Sequence, residues 1–331
     1  MPNIENNTVL IGGMGYVGSA IVDYFNTKDM ATTVIDNNIY SKKIKEKENN
    51  QYINIDTRKV DDLLKYNFLN KNIIILSGLV GDPITAKYPE ASIEINENSL
   101  IKFISKLENY KKLIFISTCS NYGLSESEEP LNEEAALNPI SLYSKSKVAV
   151  ETFLTKSNKD YTILRFATAF GHSSNMRFDL TLNEFTAMQY FNKYLEVYDY
   201  ETSRPYCHVK DFARVIKKII LSDKKITNKE IFNVGSDQNN ISKKDLISLI
   251  AKKTGNKNYK LIEDSKDKRN YIVDFSKVKK ELKFTPEFNI ADGVEEIINK
   301  LEGDEYKLNK NFDMLFNYYG NYLIPKNNLE I

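Results

Sequence analysis

Val9-Leu10-Ile11-Gly12-Gly13-Met14-Gly15-Tyr16-Val17-Gly18 is the stretch whose reading decides the fold. The three apolar residues read as a buried strand. Gly12, Gly15 and Gly18 read as a tight turn that opens a helix over 19–25. A helix begun this way points free backbone N–H groups and the positive end of its dipole at the turn, so the pyrophosphate of a dinucleotide is the expected guest. Tyr16 and Val17 belong to the same cradle. A glycine cluster alone is a weak signal, and the next strand strengthens it. Thr33-Val34-Ile35 ends at Asp36, about 20 residues beyond the turn, where a carboxylate meets the adenosine ribose hydroxyls. That charge repels a 2′-phosphate, and Asn37 and Asn38 follow it rather than Arg or Lys, so NAD is expected in preference to NADP. Asp56, after Tyr52-Ile53-Asn54-Ile55, has two readings, an adenine contact or a surface helix cap.

Further along, Ile73-Ile74-Ile75-Leu76, Leu113-Ile114-Phe115-Ile116 and Thr162-Ile163-Leu164 alternate with helix-like segments. Short apolar runs of this kind suit strands buried on both faces, and the expected architecture is α/β, a Rossmann-type doubly wound parallel sheet. After Gly171 the rhythm changes to helices over 182–191, 209–221, 242–253 and 290–301, with a strand at Ile231-Phe232-Asn233-Val234. The expected division is a dinucleotide-binding domain over 1–170, to which 205–238 returns, and a smaller C-terminal α/β substrate domain from 171–204 and 239–303. The tail 304–331, rich in Tyr, Phe and Asn, packs across its own chain or across a partner; both readings stand.

Composition excludes several classes. With 46 basic and 45 acidic residues the formal charge is +1, which leaves no footprint for nucleic acid. Two cysteines, Cys119 and Cys207, are too few for a disulfide framework and suit a reducing compartment. No apolar run approaches the ~18 residues of a membrane helix and no signal peptide is legible, so a cytoplasmic location is expected. The scattered histidines and cysteines suggest no metal site.

Tyr143-Ser144-Lys145-Ser146-Lys147 carries the chemistry. A tyrosine and a lysine four apart share a helix face, and a nearby ammonium favours the phenolate of a tyrosine whose ordinary pKa is ~10. Such a tyrosine takes a proton from a sugar or alcohol hydroxyl while hydride leaves the same carbon. Ser117-Thr118-Cys119-Ser120-Asn121-Tyr122-Gly123 follows a buried strand at the edge where open parallel sheets bind ligands, so a hydroxyl there can hold the same oxygen.

With these motifs, Leu164-Arg165-Phe166-Ala167-Thr168-Ala169-Phe170-Gly171 and Arg204-Pro205-Tyr206-Cys207-His208-Val209-Lys210-Asp211, the chain resembles the extended short-chain dehydrogenase/reductases, the NAD-dependent nucleotide-sugar epimerases and dehydratases, from about 9 to 301. The resemblance implies catalytic roles for Thr118, Tyr143 as acid/base, and Lys147 as the residue that binds the nicotinamide ribose and lowers the tyrosine pKa. It places Ser77, Gly78, Leu79, Asn96 and Ser117 near the cofactor. It assigns the substrate to Thr168, Arg177, Asn183, Arg204 and Arg269, the two last arginines gripping a diphosphate. Family dehydratases carry an acid pair after the catalytic threonine; Cys119 and Ser120 stand there, which disfavours water loss. Thr168 replaces the epimerases' substrate asparagine, so the sugar is not recognised as in ordinary galactose epimerases. The segment 176–183 is similar to a subgroup with bacterial nucleotide-heptose 4-dehydrogenases and 4-epimerases. The expected reaction is oxidation at carbon 4 of a nucleotide-diphosphate sugar, ending in epimerisation or in release of the keto sugar. The alternatives are a dehydratase, a 3,5-epimerase/reductase using Cys119 and His172 as a proton pair, and a non-catalytic NAD-binding sensor or scaffold. His208 reads as a packed residue at a helix start. The resemblance also implies a homodimer through helices near 93–107 and 143–154, with Ile93, Leu100, Phe103, Ile104, Leu107, Val148, Val150, Phe153 and Leu154 as apolar residues.

Overall fold

The computed structural model describes residues 7–40, 46, 48–124, 129–263, 270–303, 320, 321 and 323–330. Its first strands are β1 (Thr8–Ile11), β2 (Thr32–Ile35), β3 (Gln51–Ile53), β4 (Asn72–Ile75), β5 (Lys112–Thr118) and β6 (Thr162–Phe166). Then come β7 (Thr168–Phe170), β8 (Leu195–Tyr198), β9 (Ser203–His208), β10 (Glu230–Val234), β11 (Asn240–Ser242) and β12 (Tyr259–Ile262). Seven strands form one parallel sheet in the order β10-β6-β5-β4-β1-β2-β3. Strand order reverses between β1 and β4, the switch point of a doubly wound sheet.

Side chains alternate across a strand, and both faces of this sheet are covered, which is why its strands read as unbroken apolar runs. Leu10, Val34, Ile74, Ile114 and Leu164 face one core, shared with the helices Tyr16–Asn26 and Val209–Leu221. Val9, Ile11, Ile73, Ile75, Leu113, Phe115 and Ile163 face the other, under the helices Ser99–Lys106 and Leu142–Lys156. The edge strand β3 departs from the expectation of two buried faces. It has one neighbour, Gln51 is exposed, and Tyr52 and Ile53 are half-buried.

β10 pairs with β6, and the helix Val209–Leu221 packs on Tyr16–Asn26, so this part of the chain lies with the large sheet. Beyond it are a β11-β9-β7 sheet, a β12-β8 pair and the mutually packed helices Thr181–Tyr190, Lys243–Thr254 and Ile290–Glu302. Of the tail, residues 304–319, 322 and 331 lie outside the described residues; the rest packs on its own chain, with Ile324 buried against Leu79, Ile84 and Ile95. Most of the apolar residues expected at a dimer contact are instead core. Leu100, Phe103, Ile104, Leu107, Val150 and Leu154 are buried within the chain. What faces outward between the two helices is a shallow groove with Ile101, Ala149 and Phe153 on its walls, and Ile93 is exposed nearby. Among the described residues, no helix is long and apolar enough to cross a membrane.

Candidate active site

One cleft runs along the carboxyl ends of β1, β2, β4, β5 and β6, lined by the glycine turn, Asp36, Ser77, Ser117, Thr118, Tyr143 and Lys147. The turn is built for close approach. Gly12 has φ +81°, and a Cβ there would lie 2.4 Å from the Cα of Ser77; a Cβ on Gly18 would lie 2.5 Å from the Gly13 carbonyl oxygen. Gly15 opens the helix Tyr16–Asn26 without a side-chain cap, and Gly15, Tyr16, Val17 and Gly18 line the cleft, so the start of this helix is placed to meet an anionic pyrophosphate. Asp36 accepts from the amides of Met14 (2.9 Å) and Asn38 (2.8 Å), which aims the carboxylate at the turn. Burial pushes its carboxyl above the usual range, against the pull of those amides. Ser77 Oγ is buried in the lining with no protein partner among the described residues, a hydroxyl suited to hydrogen-bond a ligand.

Asp56 also lines the cleft, but its carboxylate is committed to Arg58, whose Nη2 lies 2.6 Å away, and to Asn37 Nδ2 at 2.8 Å. Burial would raise this acid; the Arg58 guanidinium overrides it and holds the carboxyl below the usual range. Asn96 stands behind the lining. A π turn over Glu94–Asn98 aims its amide at both backbone groups of Leu79, accepting at 2.7 Å and donating at 2.9 Å, so it acts as a strut for the segment after β4.

On the catalytic wall, Thr118 ends β5 and caps the following turn, its Oγ1 accepting from Ser120 N at 3.1 Å. Ser141 caps the helix Leu142–Lys156, which brings Tyr143 and Lys147 to the same cleft one turn apart. Lys147 is 2% exposed. Its Nζ donates to the Ile116 carbonyl at 2.8 Å and lies 5.9 Å from the Tyr143 ring centroid. Burial lowers its pKa to about 8, against the attraction of Glu151. Tyr143 is half-buried, and desolvation pushes its phenol up. Against that, the charge of Arg177 draws it down and that of Asp82 pushes it up. Arg177 lines the cleft with Thr168 and forms a fork with Asp179 (2.9 and 2.7 Å).

A dinucleotide turn, an acid at the ribose position and a Thr/Tyr/Lys wall thus share one cleft, and the model of the NAD dependent epimerase/dehydratase family matches residues 8–235. The chain belongs to that family. Its cofactor is NAD, and the cradle, the aimed carboxylate and the buried Ser77 hydroxyl fit that group. The chain is 23% identical over 88% of its length to the UDP-glucuronate 4-epimerase of Thermodesulfobacterium geofontis, spanning 94% of that protein. It is 24% identical over 66% of its length to methionine adenosyltransferase 2 subunit beta of Bos taurus, spanning 63% of it. The fold matches the UDP-glucose 4-epimerase of Thermotoga maritima, solved with UDP-glucose, at a TM-score of 0.76 and 22% identity, over 89% of this chain and 98% of that one.

Several residues expected in this family's site lie off the lining. Asn183 is fully buried, accepting from Gly171 N (3.1 Å) and donating to the Arg177 carbonyl (2.9 Å) and the Tyr16 hydroxyl (3.1 Å). It shapes the segment carrying Arg177 rather than facing the cleft. Arg204 sits at the start of β9, its guanidinium 5.1 Å from the Tyr271 ring centroid. Arg269 lies outside the described residues. Cys119 is buried, its thiol donating to the Arg165 carbonyl (3.2 Å) and pushed up by desolvation, and neither it nor His172 is on the lining. His208 is a fully buried helix cap whose Nε2 lies 2.8 Å from Glu296. Among the described residues, no cluster of His, Cys, Asp or Glu could hold a metal.

Other residues were not legible as site residues. Asn175 lines the cleft and braces the turn by donating to the Met14 carbonyl at 2.7 Å. Behind the wall, Glu151 takes hydrogen bonds from Ser117, Asn121 and Arg165 in a buried network. Asn321, from the tail, lines the cleft as well. Glu151 stands four residues after Lys147, the only local signal any of the three offered.

Proposed function

We propose that the protein is an NAD-dependent oxidoreductase acting at carbon 4 of a nucleotide-diphosphate sugar, with 4-epimerisation or 4-dehydrogenation as the net reaction. The observation that carries this reading is the convergence of Thr118, Tyr143 and Lys147 on the cleft that holds the glycine turn and Asp36. NAD, when bound, supplies the hydride acceptor. Thr118 holds the substrate oxygen, and Tyr143 takes its proton. Desolvation raises the phenol, so a nearby cation is needed to make it a base near neutral pH; Lys147, one turn along the same helix, is the proposed cation, and Arg177 pulls in the same direction. Arg177 and Thr168, which line the cleft, face the sugar nucleotide; Arg204 and Arg269 stay the proposed diphosphate residues on the sequence resemblance alone, and the buried Asn183 acts through the segment that carries Arg177. Relatives and structural neighbours named for UDP-sugars make UDP-glucose and UDP-glucuronate the first compounds to try.

The assembly proposed is a homodimer through the outward groove at Ile101, Ala149 and Phe153, working in the cytoplasm. A non-catalytic reading, an NAD-binding sensor or scaffold, is set against the Thr118, Tyr143 and Lys147 set on the cleft, which favours catalysis. The deciding experiment incubates the protein with UDP-, GDP-, CDP- and dTDP-sugars, follows absorbance at the reduced-nicotinamide band and separates the products. A 4-epimer, or a 4-keto sugar with reduced cofactor, is expected. Silence across the whole panel with NAD bound would turn the reading toward the sensor.

A further inference from the structure

Residues 320, 321 and 323–330 lie against both ends of the cofactor cleft. Asn321 lines it, and its backbone N–H donates to Asp179 Oδ2 (3.3 Å), the carboxylate paired with Arg177. Ile324 is 4% exposed, in a small cluster with Leu79 that stands apart from the two cores of the sheet. At the other end Arg58 donates to the carbonyls of Leu329 and Asn328, each at 2.7 Å, with the same guanidinium that holds Asp56. Asn328 Nδ2 donates to the carbonyl of Ile39, another lining residue, at 2.6 Å. The segment is thus tied to the adenosine side of the cleft after β2 and β3, to the segment after β4, and to the Arg177 side. Each tie is small, a few hydrogen bonds and one buried isoleucine. Local opening of such a segment is far cheaper than global unfolding, so it can admit a dinucleotide yet slow its escape.

We propose that residues 320, 321 and 323–330 form a strap that retains NAD in the cleft as a resident group. This rests on the NAD site described above and adds to the function proposed for it. A 4-dehydrogenase must exchange its nicotinamide every turnover, whereas a 4-epimerase regains its starting redox state and needs no exchange. A retaining strap therefore selects epimerisation from the two outcomes left open.

The test compares the full chain, a chain ending at residue 319, and Ile324→Asp in the full chain. Each is loaded with NADH, passed through gel filtration and assayed for bound nucleotide. Release is then timed by nicotinamide fluorescence against excess NAD. The full chain should keep its nucleotide through the column. Both variants should lose it, with release faster by about tenfold or more, since changes at one interface act mainly on the off-rate. Melting of the nucleotide-free variants should stay close to that of the full chain, and if the shortened chain does not fold, Ile324→Asp decides. Equal release from all the proteins would overturn the strap while leaving the NAD site standing. Failure of every protein to bind NADH would overturn the cofactor site itself, and the strap with it.

Discussion

Tyr143 and Lys147 show what a local motif determines and what its surroundings add. Their spacing puts both in the cleft, but burial sets their protonation, raising the phenol and lowering the ammonium. Tyr143→Phe should leave folding and NAD binding intact and cut turnover on the true substrate ~10²–10⁴-fold, the usual contribution of a general acid/base; steady-state kinetics on the product assay checks it. Lys147 gives a pH signature. In the unfolded chain a lysine keeps its proton to about 10.4, and here the folded value is about 8. Between those values the unfolded chain holds more protons, so this side chain makes stability rise with pH above about 8. The buried thiols of Cys119 and Cys207, pushed up, act in the opposite sense. Urea unfolding of wild type and Lys147→Met at neutral and at alkaline pH isolates the lysine. The difference between the two proteins should move in favour of wild type as pH rises, and a pH-independent difference would mean an ordinary lysine. Asp36→Ala should bring the NAD and NADP affinities together in calorimetry, because the carboxylate that repels a 2′-phosphate is gone; an unchanged preference would place the discrimination elsewhere.

At the scale of elements, the helix Leu142–Lys156 has three duties along its inward side. Tyr143 and Lys147 face the cleft, Val150 and Leu154 fill the core under the sheet, and Glu151 reaches Arg165 on β6 at 2.8 Å. The same carboxylate takes hydrogen bonds from Ser117 and Asn121, so the pair ties the helix to the end of β5, where Thr118 stands. Both partners are about 4% exposed, and removing one side of a buried pair costs about 3–5 kcal/mol because the other charge is left unpaired. Arg165→Met should therefore destabilise the protein by that amount in denaturant titration. Arg165→Met with Glu151→Leu should recover much of it, since replacing both members of such a pair by apolar residues is often neutral. If the double variant were as unstable as the single one, the network's hydrogen bonds rather than its charges would be holding the helix.

For the whole molecule, the groove between the helices Ser99–Lys106 and Leu142–Lys156 is where a second copy would sit. Light scattering at micromolar concentration should give about twice the chain mass of 38.2 kDa. Phe153→Glu, on the groove wall, should shift the protein to monomer. A fully active wild-type monomer would remove the interface from the account of the site.

The sequence by itself determined the sheet, the glycine cradle, Asp36 and the Thr118, Tyr143 and Lys147 wall. Each of these depends on short-range chemistry, a run of apolar residues buried on both faces, a turn only glycine can make, or a spacing of four on a helix. Tertiary structure alone decided the rest. Asn183 and Asn96, amides that a motif would send to the ligand, are turned to backbone groups that the fold had to satisfy. Asp56 was claimed by Arg58, and the same arginine took the carbonyls of residues some 270 positions away, at 328 and 329. No periodicity in a Tyr- and Asn-rich tail announces such a partner. Its place over the cleft follows from where two segments remote in the chain meet, and only packing brings them together.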